Sequence, residues 1–169
     1  MSRTTTALRS LHDVGLAAWF GGGLMGAVSV NSTARRAENL SDRHRLASAG
    51  WERWSPYSNA AIGLHLAGSA GLALADRRTL RRDGRARSIA VAKTALTGGA
   101  LWLTVLAERR ADLVEAEVTA PEGSPQDPGT TPGQLGHAQD QLRILRWTVT
   151  ALTGGVLVLG AVQARRSTQ

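Results

Sequence analysis

Two histidines are the side chains of this sequence best placed to do chemistry. His65 lies in the middle of the uncharged window from Trp54 to Ala75, and His12 lies just before another such window. An ionisable group at bilayer depth is costly and is therefore a functional candidate by default. Hydroxyl groups accompany them, because Ser69 follows His65 by one helical turn and Thr97 belongs to a threonine stripe in a third window. We take His65, His12, Ser69 and Thr97 as the candidate functional polar residues.

A purely structural interpretation of the same groups is also open. His65 could be a neutral imidazole that hydrogen-bonds between helices, since polar side chains in membrane bundles often pack in this way. The threonine hydroxyls could bond back to carbonyl groups of their own helix. Lys93 begins the third window and could extend toward the bilayer surface.

Other site chemistries find little support. The chain has no cysteine, which excludes disulfides, thiolate metal sites and cysteine nucleophiles. It contains no HExxH motif, no phosphate-binding glycine loop and no nucleophile elbow. We therefore predict no catalytic residue, no metal ligand and no cofactor, and we expect that the protein is not an enzyme.

Haem ligation by His12 and His65 requires both rings at one depth in the membrane. If His12 lies near the end of its helix and His65 near the middle of the next, their depths differ by about 10 Å at about 1.5 Å per residue. The sequence therefore disfavours a haem held between them.

Four nearly uncharged windows contain or adjoin these residues. We expect each window to form a helix that crosses a membrane. They are Val14 to Ala34, Trp54 to Ala75, Ser88 to Ala107 and Trp147 to Ala164, and they contain one charged residue, Lys93. The length of each window is close to the roughly 20 residues that a helix needs to cross a hydrocarbon core about 30 Å thick. The sequence thus predicts an all-α fold, an integral membrane four-helix bundle, as one domain over residues 1–169.

Two alternatives to this topology can be weighed from the pattern. A soluble four-helix bundle would keep a charged stripe on every helix, and no window shows one. The first window could be a cleaved signal sequence, but it is long and is followed at once by Arg35 and Arg36. The Pro- and Gly-rich stretch 119–136 is expected to be a flexible loop.

Location follows from the charges outside the windows. The net charge of +7 would suggest nucleic acid in a soluble protein, but basic residues that flank spans are better explained by lipid phosphates. The densest basic connection, Asp76 to Arg87, favours both termini in the cytoplasm. We expect a multi-pass protein of the bacterial cytoplasmic (plasma) membrane that contacts the lipid bilayer, with no nucleic-acid partner.

Small residues predict where the helices approach one another. Close backbone approach supplies packing where hydrophobic burial cannot drive association. Thr94 to Gly99 recurs as Thr150 to Gly155, which would make the last two spans an inverted pair. The predicted helix-packing residues are Gly15, Gly22 and Gly26 of the first window and Gly63, Ala67 and Gly71 of the second.

The segment Leu11-His12-Asp13-Val14-Gly15-Leu16-Ala17-Ala18-Trp19-Phe20-Gly21-Gly22 resembles the first helix of copper-resistance D-like integral membrane proteins. The chain is also similar to uncharacterised actinobacterial small four-span membrane proteins. The copper-resistance resemblance implies a role of His12 in metal or haem handling. The chain departs from a copper pattern in having no cysteine and only two methionines.

Three functions remain open from the sequence. The first is a non-enzymatic accessory subunit that binds a membrane-protein partner or forms a homo-oligomer, because small-residue packing surface is abundant. The second is a small transporter or ion-conducting oligomer that uses His65. The third is a haem- or metal-handling membrane protein.

Overall fold

Helices account for nearly all of the residues that the structure describes. The computed structural model describes residues 3–34, 36–38, 40–119 and 132–166. No strand occurs within these ranges, so the all-α prediction is confirmed there. The elements are α1 (Arg3–Met25), a π-helical segment (Gly26–Val30), α2 (Asn31–Ala34), α3 (Leu40–Ala75), α4 (Arg77–Arg82), α5 (Gly84–Thr119) and α6 (Pro132–Arg166).

The long helices extend beyond the uncharged windows that predicted them. α1 begins at Arg3 rather than at Val14, and α3 begins at Leu40 and continues through Pro56. Alanine, leucine and arginine, which have good helix propensity, recur in the segments that flank the windows, and a helix that has formed adds each further residue at little cost. Of the predicted loop 119–136, residues 120–131 lie outside the described ranges, whereas 132–136 already belong to α6.

α1 and α3 form an antiparallel pair with their backbones in close approach. A Cβ built on Gly15 would lie 2.5 Å from the carbonyl oxygen of Ala61 and 2.5 Å from the amide nitrogen of His65. Toward the end of the pair where α1 starts, Gly68 of α3 packs against the backbone of His12. The absence of a side chain at both glycines lets the two helices touch along this line.

α5 and α6 form a second antiparallel pair that joins the two copies of the repeated segment. Leu96 packs at Gly155, and Leu152 packs at Gly99. Each leucine therefore occupies the space left by the glycine of the other copy. Sequence repetition is thus matched by reciprocal packing across the α5–α6 interface.

A central hydrophobic layer closes the two pairs into one bundle. It consists of one residue from each long helix, namely Trp19, Ala61, Ala100 and Val149. A second cluster, formed by Ala107, Val114 and Leu142, lies farther along α5 and α6. The bundle thus has two cores stacked along its axis.

Three helical stretches are long and apolar enough to cross a membrane, namely Arg3–Ala34, Gly84–Ala116 and Gly136–Ala164. They correspond to the first, third and fourth predicted spans. The second predicted span, within α3, is not among them. Its polar residues Ser58, Asn59 and His65 lower its average hydropathy.

Candidate functional site

His12 and His65 lie against each other inside the bundle. Their ring centroids are 4.5 Å apart at an interplanar angle of 60°. The relative exposure is 6% for His12 and 1% for His65. The side of the pair toward the central layer is covered by Trp19, whose ring centroid lies 6.2 Å from that of His65.

Hydrogen bonds fix the tautomer of a neutral His65. Its Nδ1 lies 3.3 Å from the carbonyl oxygen of His12, and its Nε2 lies 3.3 Å from Oγ1 of Thr97. A carbonyl oxygen can only accept, so Nδ1–H donates to it. In the neutral ring Nε2 then accepts a hydrogen bond from the Thr97 hydroxyl. The ring thereby connects three helices, α1, α3 and α5.

His12 connects the buried histidine pair to the protein surface through a hydrogen bond to Asp13. Its Nδ1 lies 3.0 Å from Oδ1 of Asp13, whose side chain is 65% exposed. A carboxylate accepts, so Nδ1–H of His12 donates to it. Asp13, His12, His65 and Thr97 therefore form one polar chain that runs from the exterior into the bundle.

The expected difference in depth between the two histidines was wrong. His12 is not at the end of its helix, because α1 already begins at Arg3, and the antiparallel pairing brings residue 12 beside residues 65 and 68. The rings touch directly, so a flat macrocycle has no space between them. Within the ranges that the structure covers, no group of three or more His, Cys, Asp or Glu side chains could hold a metal ion.

The other predicted polar residues take different places. Thr97 is buried and contacts His65, whereas Ser69 is half-buried. Thr104 donates to the carbonyl oxygen of Ala100, as the structural interpretation of the threonine stripe expected. Lys93 is half-buried in α5, close to Gly160 of α6.

The predicted packing residues divide into two groups. Gly15, Gly22 and Gly26 are buried against α3, where Gly22 faces Trp54 and Gly26 faces Trp51. Gly71 packs against Leu8, but Gly63 and Ala67 face outward, and a Cβ on Gly63 would meet no described atom within 4 Å. α3 is rotated relative to the expected stripe, because its inward face carries Ser58, Ala61, His65 and Gly68.

A cavity between the helices was not predicted. Its volume is about 170 Å³, and it lies at the end of the bundle where α3 begins. Three tryptophans, Trp19, Trp51 and Trp54, contribute to its lining together with Arg146 and several carboxylates. One signal was available in the sequence, since Glu108, Asp112 and Glu115 recur at spacings of four and three and so share a helix face.

Comparisons of the chain with protein-family models, with curated proteins and with solved structures find no match.

Proposed function

We propose that this chain is a four-span protein of the bacterial cytoplasmic membrane, with both termini in the cytoplasm. The pairing of α3 with α1 supports α3 as the fourth span. The two helices are in contact from Leu8 and Gly71 at one end to Val30 and Gly50 at the other. That stretch measures roughly 33 Å at about 1.5 Å per residue, so a bilayer crossed by α1 would also be crossed by α3.

We further propose that the protein is a small transporter that carries protons across the membrane. The observation that carries this proposal is the contact between His12 and His65 inside the bundle. Histidine changes its charge near neutral pH, and ionisable groups at membrane depth commonly form proton relays. Two positive rings at 4.5 Å would repel by about 4 kcal/mol at an effective dielectric constant of about 20, so the pair takes up at most one extra proton at a time.

The surroundings of the pair favour a gated carrier over an open channel. On one side Asp13 links the pair to the surface of the bundle, at the end where α1 begins. On the other side Ser58 and Thr104, which line the cavity, lie two helical turns, or about 10 Å, from His65 and Thr97. The central hydrophobic layer fills the space between them, so a transported ion would pass only after that layer opens.

Proton flux into liposomes that contain a pH-sensitive dye tests this function. We expect the purified chain to dissipate an imposed pH gradient, and we expect His65→Gln and His12→Gln to reduce the rate to that of protein-free liposomes. His137→Gln is the matched control, because His137 is exposed near the start of α6. A wild-type rate equal to that of empty liposomes, or full activity of His65→Gln, would refute the proposal.

A partner-binding or homo-oligomeric role is the second candidate. Its support is the outward row of small residues Ala60, Gly63 and Ala67, which makes no packing contact at Gly63 among the described residues. Since the chain has no cysteine, Gly63→Cys introduces a single thiol. We expect this variant to form disulfide-linked dimers in membranes and Trp102→Cys, at a position whose native side chain is 70% exposed, to stay monomeric. Equal cross-linking of both variants would contradict this role.

A further inference from the structure

The cavity of about 170 Å³ has the size of a small binding site. It is lined by parts of all four long helices, α1, α3, α5 and α6, and it opens to the surface. A cavity of about 150 Å³ in a protein interior is large enough to bind benzene. A ligand of one ring, or a compact head group of similar volume, therefore fits here.

The aromatic wall of the cavity is held in place by the helix-packing glycines. The indole of Trp54 packs on Gly22, and the indole of Trp51 packs on Gly26. Nε1 of Trp51 donates to Oδ1 of Asn31 at 3.4 Å. The two rings are thus fixed against α1 before any ligand arrives, which lowers the entropy lost on binding.

This wall already contacts a cation. The guanidinium of Arg146 lies 4.1 Å from the ring centroid of Trp51, a distance at which cation–π attraction is effective. Arg146 is a delocalised cation of the folded chain itself. Its contact with Trp51 indicates that the aromatic wall favours a neighbouring positive charge.

The remaining charges of the lining are acidic. Among the described residues, the lining includes four carboxylate residues, Glu52, Glu108, Asp112 and Glu115, and one cation, Arg146. This excess stands out in a chain whose net charge is +7. The carboxylates of Glu108 and Asp112 are exposed, so they lie at the mouth and can meet an incoming cation.

We propose that the cavity binds a compact organic ammonium group, with its charge near Glu108 and Asp112 and its alkyl groups on the tryptophans. Such a group belongs either to a lipid head group or to a free amine. The inference concerns equilibrium binding and does not depend on proton transport, so either one can fail without the other.

Titration with choline, followed by tryptophan fluorescence and calorimetry in detergent, tests the site. We expect saturable binding of choline and much weaker binding of its uncharged isostere 3,3-dimethylbutan-1-ol. The double variant Glu108→Gln, Asp112→Asn should weaken choline binding roughly tenfold, which corresponds to the loss of one effective cation contact. Glu38→Gln removes an exposed carboxylate outside the cavity and should leave binding unchanged.

The same titration in nanodiscs distinguishes the two sources of the ammonium group. Weaker apparent choline binding in phosphatidylcholine than in phosphatidylglycerol indicates that a lipid head group occupies the cavity, and equal binding indicates a free amine. The inference is overturned if the uncharged isostere binds as well as choline or if the double variant keeps wild-type affinity. It is also overturned if acetate binds in place of choline, because Arg146 would then be recruiting anions.

Discussion

Replacing Gly15 with alanine should destabilise the bundle, because the new methyl group would meet the backbone of α3. The new Cβ would lie 2.5 Å from both the carbonyl oxygen of Ala61 and the amide nitrogen of His65. Ordinary contact begins at 3.4 Å, so each pair of atoms is about 0.9 Å too close. Both neighbours are backbone atoms, and neither can rotate away. α1 and α3 must therefore separate.

The expected cost can be worked from this separation. Overpacking a tight interface costs about 1–3 kcal/mol, and rigid backbone on one side places this case in the upper half of the range. Separation also stretches the 3.3 Å hydrogen bond from His65 to the His12 carbonyl, which contributes about 0.5–1.5 kcal/mol. The better helix propensity of alanine stabilises the folded state by about 1 kcal/mol and offsets part of this loss. We expect a net loss of about 1.5–3.5 kcal/mol in the free energy of unfolding.

Unfolding in mixed micelles with increasing dodecyl sulfate, followed by circular dichroism, measures this loss. Gly21→Ala and Gly63→Ala are matched controls, because a Cβ at either position meets no described atom within 4 Å. Both controls should equal the wild type or exceed it by up to about 1 kcal/mol. The close approach of α1 and α3 would be refuted if Gly15→Ala changed stability by less than about 0.5 kcal/mol, or if the controls lost as much.

Three further outcomes are expected in the same unfolding assay. Thr97→Val should cost about 1–3 kcal/mol because it leaves a buried histidine nitrogen without its donor, and Thr97→Ser should restore most of that loss. Ala100→Leu should cost about 1–3 kcal/mol at a fully buried position, whereas Trp102→Leu, at 70% exposure, should cost little. Leu96→Ala and Leu152→Ala should have similar costs, and a clear difference between them would contradict reciprocal packing.

The sequence predicted the helices better than their contacts. Uncharged windows identify apolar helices because the pattern depends on each helix alone, and three of the four windows lie in helices long and apolar enough to cross a membrane. The rotation of α3 depends on its neighbours, which is why Gly63 and Ala67 were expected to pack and instead face outward. The same dependence applies to Trp102, which lies inside the third window and is nevertheless 70% exposed.

The candidate site was predicted only in part for the same reason. His65 and Thr97 were recognisable as polar residues within apolar windows, but their contact depends on the relative register of α3 and α5. The contact of His12 with His65 depends on where α1 begins, and the uncharged window does not mark that point. Arg146 gave no signal in the sequence, because a basic residue before a span is commonplace.

The length of the helices has a mechanical consequence. α5 has 36 residues and so measures about 54 Å, against about 30 Å for the hydrocarbon core. With the predicted spans in the bilayer, Ala107 lies at the end of its span, and Val114 and Leu142 of the second core lie outside the bilayer, on the same unbroken helices that contribute to the central layer. A force on the part of such a helix outside the membrane therefore also moves the part inside it. A displacement of α5 would in this way reach Thr97, which contacts the buried His65.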